Sequence, residues 1–216
     1  MKEISFNDPF IALPLSDGTG RGDGFSLSKT ICCDSTMDRY ILYSDFNCPF
    51  CYALHERLYE LGVIDRCEWR GVQHAPHLPR PMKPWSGSLG AELQQEVSVV
   101  QRLAPRLAIV LPPGKPNTKL AIALAASYLQ RDRNRGMQVV RSLYRGFWLE
   151  GKDLSNPLVL DEFGISDGTD LDQMIEEWNN GWHETGQTGV PLIVSPEGDH
   201  LVGCVPADEI RRFCDK

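Results

Sequence analysis

Two cysteines separated by two residues, in Cys48-Pro49-Phe50-Cys51, are the part of this chain whose types and spacing could do chemistry. A thiolate attacks disulfides, and a second thiol within reach can attack the resulting mixed disulfide and release the partner. The pair then cycles between dithiol and disulfide. The same spacing also supplies half of a zinc site, so the flanking elements have to decide between ligand and redox chemistry.

Those elements favour redox. Tyr40 to Tyr43 is an apolar, β-rich run, Ser44, Asp45 and Asn47 make a polar turn, and Tyr52, Leu54, Leu58 and Leu61 repeat as the apolar positions of a helix. The order is strand, turn, helix, with the thiols at the junction. Pro49 suits the first helical position, where a missing N–H costs nothing and the fixed φ is already helical. Cys48 then lies at the helix N-terminus. Unpaired N–H groups and the helix dipole stabilise a thiolate there, and can take a cysteine from about 8.5 to between about 3.5 and 7.5. Cys48 is the expected nucleophile, and Cys51, one turn inside the helix and less exposed, is the expected resolving thiol.

The stretch Ser44-Asp45-Phe46-Asn47-Cys48-Pro49-Phe50-Cys51-Tyr52 resembles the active-site segment of DsbA-like thioredoxin-fold oxidoreductases, especially their FrnE-like branch. Three later stretches are similar in the same order: Pro116-Asn117-Thr118 opening a helix, the run from Leu143-Tyr144 through Phe147-Trp148 to Leu154, and Gly189-Val190-Pro191-Leu192-Ile193-Val194. The likeness runs from about Arg39 to the C-terminus. It implies an α/β, thioredoxin-like fold with a large inserted all-helical domain. The 2-hydroxychromene-2-carboxylate isomerases and kappa-class glutathione transferases share the scaffold but usually carry one serine or cysteine in place of the CxxC, so two cysteines favour the redox branch.

The resemblance also assigns roles near Pro191. Only about one X–Pro bond in twenty is cis in folded proteins, yet the family pattern implies a cis Val190-Pro191 bond facing the CxxC. The backbone of Val190 would pair with the bound substrate chain, and Pro191 would shape the docking surface while keeping metals from the thiols. Pro49 and Phe50, between the cysteines, join Val190 and His74 as the expected substrate-contacting residues.

Composition sets the frame for this chemistry. A chain of 216 residues, 42% hydrophobic and 24% charged, is long enough for a real core and ordinary for a globular protein. A net charge of -7 with no basic stripe argues against nucleic acid or an anionic membrane as partner. The N-terminus has acids early and no continuous apolar run, and nothing approaches the roughly 18 apolar residues of a membrane span. A cytoplasmic location is therefore expected. There, structural disulfides are disfavoured and a CxxC reads as catalytic. Cys67 and Cys204 read as small buried hydrophobes, and the adjacent Cys32 and Cys33 rarely meet disulfide geometry.

Residues 1–38 read as an N-terminal extension with a flexible Gly-rich loop. Residues 39–80 and 186–216 read as the thioredoxin-like domain, and 81–185 as the inserted helical domain. Cys67 to Val72 is a second strand, joined to the first by a helix and so expected to lie parallel to it. Both strands should end at one edge, which brings Gln73-His74-Ala75-Pro76-His77 beside the thiols. His74 is expected near the sulfurs, where it reads either as stabilising the Cys48 thiolate or moving protons during exchange, or as a loop histidine in water, and His77 is expected in solvent. Helical spacing is carried by Leu89, Leu93, Val97 and Val100, by Leu120, Leu124 and Tyr128, and by Met137, Val140, Tyr144, Phe147 and Trp148. A further helix is expected from a Thr169 cap, with Trp178 and Trp182 on its apolar face. Leu192 to Val194 and Leu201 to Cys204 should form a hairpin before a helix begun at Pro206.

The leading reading is a thiol–disulfide oxidoreductase with no bound cofactor and no metal, exchanging electrons with a thiol or disulfide substrate, with glutathione or a dithiol protein as redox partner. Two readings compete: a glutathione-dependent isomerase or transferase on the same scaffold, and a metal-binding CxxC module, in its sharpest form a zinc site of Cys48, Cys51, His74 and His77.

Overall fold

The computed structural model describes residues 39–164 and 171–215. The expected extension with its Gly-rich loop, the Cys32–Cys33 pair and the Thr169 cap lie outside the described residues.

The chain begins with strand β1 (Tyr40–Ser44) and runs through the thiol turn into helix α1 (Pro49–Glu60). A 3-10 turn at Ile64–Arg66 leads to β2 (Cys67–Gly71), which pairs parallel with β1, Tyr40 opposite Cys67 and Ser44 opposite Gly71. Three helices follow, α2 (Leu89–Leu103), α3 (Lys119–Arg131) and α4 (Arg133–Glu150), then a short α5 (Pro157–Leu160) and α6 (Asp172–Glu184). Strands β3 (Leu192–Val194) and β4 (His200–Val202) and helix α7 (Ala207–Cys214) complete the described chain. The sheet order is β2-β1-β3-β4, with β3 antiparallel to both neighbours. This is the α/β, thioredoxin-like arrangement with a helical insertion that the resemblance implies.

β1 is central and nearly all buried because both its faces are covered. Successive side chains alternate across a strand, so Leu42 joins the main core while Tyr43 joins a smaller cluster with Val72, Leu192 and Trp182. The insertion shares that main core: Phe46 in the thiol turn packs on Tyr144 of α4 with ring centroids 4.8 Å apart and on Trp69 of β2 at 5.2 Å. Tyr52 of α1 stacks on Trp148. The helices at 81–185 thus form one wall of the sheet's own core.

β2 ends at Gly71 rather than Val72, α7 begins at Ala207 with Pro206 as its N-cap, and two further boundaries differ from the sequence expectation. β4 ends at Val202, short of Cys204: the Gly203 N–H still donates to the Pro191 carbonyl opposite it at 2.8 Å, but proline has no N–H to return the bond, and Gly203 turns away at φ +84. Helix α6 starts at Asp172, with Leu171 at its N-cap and no side-chain cap bond.

Helices α3 and α4 lie tightly together at Gly136, where an added Cβ would stand 2.6 Å from the Leu129 backbone. Alanine in a helix is intrinsically favoured over glycine by about 1 kcal/mol. A backbone clash outweighs that gain, since overpacking costs typically about 1–3 kcal/mol even where side chains can yield. Gly136→Ala is therefore expected to lower stability, read as a reduced urea midpoint at unchanged slope.

Candidate active site

Cys48 is the N-cap residue of α1, in extended conformation (φ -102, ψ 119), with Pro49 following it as the first helical residue. Its backbone N–H donates to the Asp45 carbonyl at 3.3 Å, and its thiol donates to the Val190 carbonyl at 3.5 Å. Val190-Pro191 is cis, and the Cys48–Val190 contact shows that the implied loop faces Cys48. Cys51 lies one turn deeper, at 1% exposure against 6% for Cys48. Both thiols are free. Pro49 is buried, and Phe50 is half-buried against the core, so of the two intervening residues Phe50 keeps more open surface.

The register of the two parallel strands explains how His74 arrives. Ser44 faces Gly71, and the Val72 N–H extends the ladder to the Ser44 carbonyl at 3.0 Å, so His74 emerges beside Asp45. Both its backbone N–H (3.1 Å) and its ring Nδ1 (2.7 Å) bond to Asp45 Oδ2. A ring held through Nδ1–H to a carboxylate keeps Nε2 free to face the thiols. His77 is exposed, as expected.

Further bonds fix the 73–78 loop. Asn117 donates to the Pro76 and Leu78 carbonyls at 3.1 and 2.9 Å and accepts from Gln73 Nε2 at 2.7 Å, while Asn47 donates to the Pro116 carbonyl at 3.0 Å. The Pro116-Asn117-Thr118 segment therefore staples the histidine loop to the thiol turn. α4 holds the other side: Trp148 Nε1 donates to the Phe46 carbonyl at 2.9 Å, and Tyr144 Oη lies 2.6 Å from Ser44 Oγ.

The two thiols have opposed electrostatics. Burial alone disfavours the Cys48 thiolate, but the hydrogen bond from Cys51 and the charge of His74 outweigh it, with help from Lys115, and hold Cys48 below its ordinary value. Burial drives Cys51 well above the usual thiol range, and the neighbouring Cys48 charge pushes the same way. Burial would lower His74, yet the bond and charge of Asp45, together with the Cys48 charge, raise it. His55, one turn beyond Cys51, is different: burial and the Arg141 charge push it down to about 3, so it is neutral at working pH and supplies no cation.

Sequence reasoning does not single out Asp45, Ser44 or Tyr144 as site residues. Asp45 reads as a turn former, since carboxylates are common in turns. The usable signal is its place at the end of a strand whose partner strand leads into a histidine. The four ligands of the zinc alternative are not assembled: among the described residues no group of three or more His, Cys, Asp or Glu side chains could hold a metal ion.

A helix-start thiol closed over by a cis X–Pro loop on this sheet order defines a dithiol protein of the thioredoxin class. The profile of the DSBA-like thioredoxin domain matches residues 41–212, and the chain belongs to that family. Among solved structures it is similar to a probable DsbA oxidoreductase from Streptomyces coelicolor, at 18% identity and a TM-score of 0.63 over 81% of this chain and 87% of that one. A 2-hydroxychromene-2-carboxylate isomerase matches at 17% identity and 0.61, over 82% and 92%. The cytosolic disulfide reductase DsbM from Pseudomonas aeruginosa, solved with GSH, matches at 14% and 0.61, over 82% and 97%. Identities this low carry the fold alone. No curated protein matches the chain. Among the described residues no helix is long and apolar enough to cross a membrane.

The His74 and Cys48 shifts give a signed pH expectation. A raised histidine contributes stability that is fully present below about 6.5 and lost as pH rises through its folded value. A depressed Cys48 contributes to the reduced fold above about 8.5, and that contribution is lost as pH falls through its lowered value. The pH midpoint of Cys48 alkylation by iodoacetamide should therefore lie below about 8.5. His74→Gln should move it upward, because the cation is removed while burial remains. An unmoved midpoint would show that the His74 charge does not act on Cys48.

Proposed function

We propose that this protein is a thiol–disulfide oxidoreductase in which Cys48 attacks and Cys51 resolves. The observation that carries the reading is the opposed setting of the thiols: Cys48 at the helix start against His74 and Val190, Cys51 buried one turn behind. In the reducing direction the Cys48 thiolate attacks one sulfur of a substrate disulfide. A Cys48–substrate bond forms, the substrate S–S bond breaks, and the first substrate thiolate leaves. Cys51 then attacks Cys48 Sγ, the second substrate thiol departs, and the Cys48–Cys51 disulfide remains. Two electrons have passed to the substrate, and a thiol donor restores the dithiol.

Glutathione or a dithiol protein is the proposed donor, a role supported by likeness to a cytosolic disulfide reductase solved with GSH. The Val190 carbonyl, already accepting from Cys48, is the proposed docking edge for the substrate backbone, beside Phe50. A reducing compartment such as the cytoplasm suits this cycle, because it regenerates the dithiol. The glutathione-dependent isomerase reading keeps some support from the isomerase among the similar structures. It leaves Cys51 without a task, since adding one thiol to a small molecule never passes through an intramolecular disulfide.

The serine variants separate these readings. Cys48→Ser should abolish disulfide exchange. Cys51→Ser should keep the first attack and accumulate mixed disulfides with substrate or glutathione, visible by mass spectrometry. Equal loss in both variants with no trapped adduct would sink the oxidoreductase reading.

A further inference from the structure

Cys51 sits among hydrogen-bonding groups that the cycle above does not use. Its sulfur accepts the Asp45 backbone N–H at 3.4 Å, and the nearby Ser44 hydroxyl acts in favour of its ionised form. Ser44 Oγ is 2.6 Å from Tyr144 Oη, and Tyr144 Oη is 3.5 Å from the Asp45 carbonyl. Ser44 and Tyr144 have no exposed surface and Cys51 has 1%. The titratable groups that face this sulfur are Cys48 on its own helix, Asp45 in the turn and Tyr144 on α4. None of these is a cation, so what favours a Cys51 thiolate is the Ser44 hydroxyl and the Asp45 amide, against the Cys48 charge.

A hydroxyl both donates and accepts, so this chain has two orientations. With Cys51 protonated, its S–H donates to Ser44, Ser44 donates to Tyr144, and Tyr144 donates to the Asp45 carbonyl. With Cys51 ionised, both hydroxyls turn: Tyr144 donates to Ser44, and Ser44 donates to the thiolate beside the Asp45 N–H. The chain can follow the sulfur's charge without moving a heavy atom, and aligned donors of this kind reinforce each other in a low-dielectric interior.

We propose that Ser44 and Tyr144 are positioning residues for the resolving step, their hydroxyls and the Asp45 amide stabilising the Cys51 thiolate as it attacks Cys48. The inference rests on the oxidoreductase reading and adds which step the helical insertion controls. In that step Cys51 loses its proton to solvent, its thiolate forms the bond to Cys48 Sγ, and the bond from Cys48 to the substrate sulfur breaks with the electron pair on the departing thiolate. A donor lost from a buried anion leaves it short of a charge-assisted bond, an effect large enough to slow the step tenfold or more.

The probe is 5,5′-dithiobis(2-nitrobenzoate), an aromatic disulfide that reports each thiolate released. On the reduced full-length chain, the first release follows attack by Cys48 and the second follows resolution by Cys51. Cys51→Ser gives the background from the other cysteines. Tyr144→Phe and Ser44→Ala should leave the first phase within roughly twofold and slow the second by about tenfold or more, with its pH midpoint moved upward. Circular dichroism and the urea midpoint check the fold, and Ser44→Ala decides alone if Tyr144→Phe does not fold. A second phase unchanged in the folded variants, or both phases slowed equally, overturns the inference. A wild-type protein with no second phase overturns the oxidoreductase reading instead.

Discussion

A carboxylate without exposed surface is costly to hold unless hydrogen bonds replace its water, and Asp45 is such a group, fully buried in the turn before the thiols. Its Oδ2 takes two bonds from His74, its carbonyl caps the Cys48 N–H, and its own N–H reaches Cys51 Sγ. One residue therefore fixes the histidine, starts the helix and touches the inner sulfur. Its Oδ1 has no partner among the described residues, which leaves the carboxylate dependent on the histidine bonds. Loss of the His74 contact would strand a buried charge, so the strand register that delivers His74 constrains everything nearby.

The helical insertion contributes more than bulk to this arrangement. Tyr144 and Trp148 lie four residues apart on α4 and so point to one side of the helix. Trp148 binds the Phe46 carbonyl and Tyr144 meets Ser44, which clamps the thiol turn at two successive points. Asn117, just before α3, performs the matching task for the histidine loop.

Two cysteines of one helix turn differ through position alone. Cys48 meets the helix start, the His74 charge and a carbonyl on the open side, whereas Cys51 meets buried dipoles and the charge of its partner. Desolvation acts on both in the same direction, so the difference arises from what replaces water around each sulfur. A reactive thiolate beside a reluctant one would give the proposed exchange an order, the outer sulfur engaging substrate and the inner one acting once a mixed disulfide has formed.

Much of this arrangement is legible in the order of residues alone. The strand–turn–helix around Cys48 and Cys51, the parallel second strand, the place of His74 and the helices carried by Leu89 to Val100, Leu120 to Tyr128 and Met137 to Trp148 follow from periodicity, chain order and turn chemistry. The cis Val190-Pro191 bond follows from family likeness, because propensity alone favours trans. Asp45 as a buried anchor, the Ser44–Tyr144 contact across 100 residues and the early end of β4 at Gly203 need the folded chain. Local rules set which element a residue joins, but burial and partners depend on what packs against it from afar. A carboxylate in a turn and a tyrosine in a helix become parts of one site only when tertiary packing removes the water between them.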